Sequence, residues 1–239
     1  MTDDRDLEGF DPYDLFDDEA ARLYRFFTSI DAATWSRPSR CEGWSVRDVL
    51  GHLRADEDYF RACLEERVGE FIAEMGAAGA TDLDSSNQIG VDTYASTAND
   101  ALVEEWRTIN AETRKRFRER DGGDVDSSAG TYPARWQAFH LAHELATHAD
   151  DIGVPVMPDE EPARTNWRAA LSRFALKEVH PDFEAVAADD ASTRVVTDAG
   201  DVTLTNEDFV EAVAARIGDD AKVSAALPAE LLAALSVTP

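Results

Sequence analysis

Apolar residues recur at three- and four-residue spacing through the first three-quarters of the chain, the period of amphipathic helices. Phe16, Ala20, Leu23, Phe27 and Ile30 mark a first helix. A second starts sharply after Cys41-Glu42-Gly43-Trp44. There Ser45 is a good N-cap, and Asp48 three positions on completes an acidic capping box. Val46, Val49, Leu50, Leu53, Phe60 and Leu64 form the apolar stripe of that helix. A third carries Tyr94, Ala98, Leu102, Trp106, Ile109 and Thr113 and ends in a basic run over 114–120, which suits a helix C-terminus. A fourth begins near Pro133 and passes through Trp136, Phe139, His140, His143 and Ala146 to about Asp151, where Gly153 and Pro155 stop it. Four such helices joined by polar loops predict an antiparallel bundle.

The remainder reads differently. Residues 121–130 (DGGDVDSSAG) match an EF-hand loop only loosely, with Tyr132 where the bidentate Glu belongs, and are expected to be an acidic turn. Pro158–Pro162 reads as a linker, so the division predicted is 1–158 for the bundle and 159–239 for a small α+β region. Within the latter a helix is expected over Arg164–Val179. A β-hairpin follows, Thr193–Thr197 and Val202–Thr205 joined by Asp198-Ala-Gly-Asp201, and then helices over Glu207–Ile217 and Pro228–Leu235. No internal repeat or low-complexity segment interrupts the chain.

Charge narrows the partners. Of 239 residues, 49 are acidic and 23 basic, a net charge of −26, and only Lys115, Lys177 and Lys222 of the bases are lysine. Such a surface repels phosphate backbones and anionic lipid, so neither nucleic acid nor membrane is an expected partner. Self-repulsion of this size is tolerable where salt screens it, and the acid-rich, lysine-poor composition reads as halophilic. No apolar run approaches the length of a membrane span, and the acidic N-terminus has no signal-peptide pattern. Two cysteines, Cys41 and Cys63, cannot make a disulfide scaffold. A cytoplasmic protein is expected.

Candidate chemistry concentrates on the second and fourth helices. His52 flanks the apolar stripe of one; His140, His143, Glu144 and His148 lie on the other. Glu144 and His148, four apart, share a helical face. Two ligands at i and i+4 with a third from a facing helix is how bundles build internal metal sites, and two imidazoles with one carboxylate is a common catalytic zinc set. The alternative is ordinary helix residues, a hydrogen-bonded core histidine among them. The run His143-Glu144-Leu-Ala-Thr-His148 is one residue too long for H-E-x-x-H, and His143 and His148 stand roughly 140° apart around the helix, so peptidase chemistry is not expected.

Two segments together resemble a known family. Cys41-Glu-Gly-Trp44-Ser-Val-Arg-Asp-Val-Leu-Gly-His52-Leu is similar to the C-x-G-W-[ST]-V-x-D-V-x-x-H-L signature of the DinB-like superfamily, in its mycothiol-dependent maleylpyruvate isomerase branch. Glu144-Leu-Ala-Thr-His148-Ala-Asp-Asp151 resembles that branch's second signature, E-x-x-x-H followed by Asp. The resemblance covers about residues 13–155. It implies a mainly α fold, a DinB-like four-helix bundle with a small C-terminal α+β appendage. It also implies a divalent metal, zinc or alternatively nickel, held by His52, Glu144 and His148. The metal would bind a low-molecular-weight, mycothiol-like thiol. Asp151 is then either an acceptor for the His148 imidazole or a plain helix-end acid. Trp44 reads as packing, Cys41 as a small buried residue, and His140 as core or pocket mouth. The C-terminal domain of the branch contributes an arginine, for which Arg194 or Arg216 are candidates.

The function expected is thus a metal- and thiol-dependent isomerase or S-transferase acting on an electrophilic small molecule, as a monomer or homodimer. Two alternatives stay open at this point, a hydrolase using bound hydroxide and a non-catalytic metal-binding stress module.

Overall fold

The computed structural model describes residues 3–180, 184–197 and 200–216, in two compact units, Asp11–Val154 and Met1–Phe10 with Pro155–Pro239. Asp11–Val154 is built on four long helices: α1 Pro12–Ser29, α3 Val46–Leu64, α6 Asn99–Glu119 and α7 Ala134–Asp151. Two of them, α1 and α3, begin at side-chain caps. Asp11 caps α1 by accepting from the amides of Tyr13 and Asp14, with proline at the first position. Ser45 and Asp48 form the reciprocal capping box of α3. Helix α1 packs on α6 and α7, and α6 also packs on α3. Their apolar stripes meet in a core of Phe16, Leu23, Leu50, Leu53, Leu102, Trp106, Phe117, Phe139 and Leu145, all almost fully buried.

Shorter elements decorate this frame: α2 Ala32–Trp35, α4 Val68–Ala78, α5 Leu83–Tyr94, and a hairpin of β1 Asp124–Ser127 with β2 Gly130–Pro133. Helix α5 lies along α3. Two elements differ from the sequence expectation. Tyr94 and Ala98 do not belong to the third long helix. The chain breaks after Tyr94, where the Arg47 guanidinium donates to the carbonyls of Tyr94 (2.6 Å) and Thr97 (2.9 Å), satisfying acceptors that a continued helix would have used. And 121–130 is more than an acidic turn: it opens into the antiparallel hairpin, closed by Ser127 Oγ donating to the Gly130 carbonyl at 2.8 Å, with Gly130 at φ +96°.

The second unit contains a 3₁₀ turn, Arg5–Leu7, then α8 Glu161–Val179, β3 Glu184–Asp189, β4 Ser192–Thr197, β5 Gly200–Thr205 and α9 Asn206–Val213. The sheet order is β3-β4-β5, antiparallel throughout. The expected two-stranded hairpin is therefore the β4–β5 part of a three-stranded sheet. Leu176, Ala185, Val195, Leu204, Phe209 and Val213 form its core. Asp6 ties the N-terminal turn to α8, accepting from Arg173 Nε at 2.9 Å and Lys177 Nζ at 2.6 Å. Helix α9 ends at Val213. Ile217, the turn residues Asp198 and Ala199, and the helix expected over Pro228–Leu235 lie outside the described residues. Among the described residues no helix is long and apolar enough to cross a membrane.

Candidate metal centre

The segment before α3 is held to the end of α7. Arg40 donates its amide to the Asp151 carbonyl (2.9 Å), Val46 to that of Arg37 (2.9 Å), and the Arg37 guanidinium reaches the Ile152 carbonyl. Helix α7 closes with Val154 N on the Ala149 carbonyl and Gly153 at φ +70°, a conformation that favours glycine. These ties bring the second turn of α3 to the last two turns of α7.

There the three expected residues converge. Glu144 Oε1 lies 3.3 Å from His52 Nε2 and 2.9 Å from His148 Nε2, and the donor atoms of all three fall within 4.8 Å of one another. The two imidazole rings meet edge to face at 4.7 Å. Both are nearly sealed, with side-chain exposures of 5 % and 6 %, whereas Glu144 keeps 35 %. The triad therefore opens to solvent on its carboxylate side. Trp44 closes another side: its ring lies 5.0 Å from that of His52 while Nε1 donates to Gln88 Oε1 at 3.0 Å.

Behind the triad runs a hydrogen-bonded chain. His148 Nδ1 bonds Asp151 Oδ2 at 3.0 Å, and Cys41 Sγ donates to the same oxygen at 3.2 Å while lying 3.7 Å from Nδ1. The Asp151 side chain is fully buried, so of its two readings the histidine acceptor is the one observed. Cys41 is only half-buried and is more than the small packing residue its sequence context suggested.

The electrostatics follow from this crowding. Burial works against charge on Glu144, but the His148 charge and hydrogen bonds from both imidazoles outweigh it and hold the carboxyl well below the usual range. Burial likewise opposes charge on His148, and the carboxylates of Glu144 and Asp151 overcome it, holding the imidazolium well above its ordinary value. Each ring nitrogen of His148 faces a carboxylate oxygen, so a cation, whether proton or metal, is favoured on its Nε2 side.

The donor set suits a metal. Donors at about 2.0–2.1 Å from a tetrahedral ion stand about 3.3 Å apart, close to the two separations from Glu144 Oε1, and an imidazole whose other nitrogen bonds a buried carboxylate is the arrangement that orients metal ligands.

Not every histidine takes part. His143 is buried elsewhere on α7 and does not join the converging donors, and His140 Nε2 bonds Tyr132 Oη at 3.1 Å. Arg194 pairs with Asp201 across the β4–β5 ladder at 3.0 Å, and Arg216 donates to the Ala214 carbonyl. Sequence reasoning missed one residue. Asp56, four beyond His52 on α3, brings Oδ2 to 3.2 Å from His52 Nε2. Burial raises its carboxyl to about 6, partly offset by the His52 charge. The signal was there, His and Asp at i and i+4, but acids are so abundant in this chain that the spacing does not stand out.

Comparison with known proteins bears on the fold and the family. One crystal structure, of the mycothiol-dependent maleylpyruvate isomerase H52A mutant, superposes with a TM-score of 0.53 at 17 % identity, covering 75 % of this chain and 72 % of that one, and so shares the fold. No curated protein matches the sequence. The sequence model described as the mycothiol maleylpyruvate isomerase N-terminal domain matches residues 16–153, more than half the chain. The protein therefore belongs to the mycothiol maleylpyruvate isomerase N-terminal domain family, built on a DinB-like helical bundle.

Proposed function

We propose that this protein is a metal-dependent enzyme that uses a low-molecular-weight thiol to isomerise, or to transfer sulfur to, an electrophilic small molecule. The observation that carries the reading is the convergence of His52 Nε2, Glu144 Oε1 and His148 Nε2 on one point, with Glu144 the most exposed of the three side chains. Three donors leave a position for an exogenous ligand, unlike closed four-donor structural sites. A divalent metal bound there would keep a coordinated thiol deprotonated at neutral pH.

The chain's own residues do the rest. Asp151 fixes the orientation of His148 so that Nε2 faces the centre, and the Cys41 thiol supports Asp151 from behind. Trp44 and the two sealed imidazoles exclude water from the rear, so charges on the open side interact in a medium less polar than water. Glu144, held ionised, offsets the charge of the cation it faces.

The test is elemental analysis of protein purified in high salt without chelator or nickel affinity. About one equivalent of zinc or nickel is expected in wild type, and almost none in His52→Ala or His148→Ala of unchanged helix content. Full metal occupancy in His148→Ala would overturn the assignment.

A further inference from the structure

One side chain beside the triad has no part in the proposed ligand set. Asp56 lies one turn beyond His52 on the same face of α3, and its Oδ2 sits 3.2 Å from the nitrogen that also faces Glu144. That oxygen is buried and accepts no hydrogen bond of good geometry among the described residues, although the side chain retains 18 % exposure. The nearest arginine in sequence does not neutralise it. Arg54 is engaged with Asp58 at 3.4 Å and Glu105 at 2.8 Å. A carboxylate oxygen is thus left without a donor on the wall of the site.

Its position bears on whatever enters. An ion about 2.0–2.1 Å from His52 Nε2 necessarily lies within about 5 Å of Asp56 Oδ2, since the nitrogen stands between them at short range. A ligand on that ion whose chain turns along α3 brings its next few atoms to the carboxylate. A cationic or N–H-bearing group there would supply the missing donor; a second carboxylate would face a like charge in a poorly solvated wall.

Building on the metal and thiol reading above, we infer that Asp56 selects the thiol by charge: it favours one with an ammonium or amide N–H two carbons from the sulfur and disfavours one with a carboxylate there. Because the oxygen is buried, salt screens this selection far less than it screens surface charge, so it operates at the ionic strength this acidic chain is suited to.

The experiment uses the full chain loaded with cobalt(II), whose sulfur-to-cobalt charge-transfer absorption reports thiol binding without any turnover. Cysteamine, 2-mercaptoethanol and 3-mercaptopropionate are titrated near pH 8 in about 1 M salt. Asp56→Asn is expected to tighten 3-mercaptopropionate by about tenfold and weaken cysteamine comparably, with 2-mercaptoethanol little changed. Asp56→Glu should keep the wild-type order. If Asp56→Asn takes up no cobalt, Asp56→Ala is read in the same way. An unchanged ratio of 3-mercaptopropionate to cysteamine affinity, or an equal shift for all three thiols, would overturn the selection while leaving the metal and thiol reading intact. No charge-transfer band with any thiol in cobalt-loaded wild type would sink that reading and this inference with it.

Discussion

Asp151 Oδ2 and His148 Nδ1 are 3.0 Å apart in a fully buried contact, and this one bond decides which way the imidazole faces. With Nδ1 engaged behind, Nε2 is turned toward Glu144 Oε1. Removing the carboxylate frees the ring to rotate and leaves Nδ1 without that partner. Asp151→Ala is therefore expected to weaken zinc binding by roughly 10- to 100-fold, and Asp151→Asn by less, since its amide oxygen can still accept. Competition titration against a chromophoric chelator measures both. Wild-type affinity in the alanine variant would show that His148 is positioned by packing alone.

The two cysteines should behave as opposites. Cys63 has no exposed surface, and burial pushes its thiol up to about 12, whereas Cys41 is half-buried beside Asp151. Thiol reactivity needs both access and thiolate. An aromatic disulfide reagent should therefore titrate one thiol in the native protein and two after unfolding, and Cys41→Ser should abolish the native reaction. Prompt reaction of two thiols in the native state would mean that the core around Cys63 opens readily.

Helices α3 and α7 were legible because their signals are local: the Ser45–Asp48 box, the Gly153 stop, and histidines spaced on apolar stripes. Glu144 and His148 could be paired from their spacing, but only the fold brings His52 to them. Helix α5 buries only Val91 and carries no apolar stripe to read, whereas α4 sets Val68, Phe71, Ile72 and Met75 at helical spacing but is broken up by Gly69 and Gly76 and buries only Val68. Strand β3 was missed because Glu184-Ala-Val-Ala-Ala-Asp has Val186 alone of the branched and aromatic residues that mark strands; its partner β4 supplies the order. The break after Tyr94 is set by Arg47, 47 residues away, and no local pattern announces it.

One buried carboxyl has no part in the proposed chemistry. Glu57 is fully buried between α3 and α6, accepting from Asn110 Nδ2 at 2.7 Å and Thr113 Oγ1 at 2.5 Å. Burial raises it to about 7 from its ordinary 4.5, with the two hydrogen bonds pulling back only in part. Between those values the folded chain holds a proton that the unfolded chain has released. This group therefore costs nothing below about pH 4.5, and stability falls as pH rises toward 7, with the full penalty reached above it. Glu57→Gln, which stays neutral, escapes that penalty. Its stability relative to wild type should grow by about 2–3 kcal/mol between about pH 5 and 8, measured by denaturant unfolding at matched salt. A difference that stays flat over this range would show that Glu57 remains ionised when buried, with Asn110 and Thr113 compensating its charge more fully than two neutral donors are expected to do.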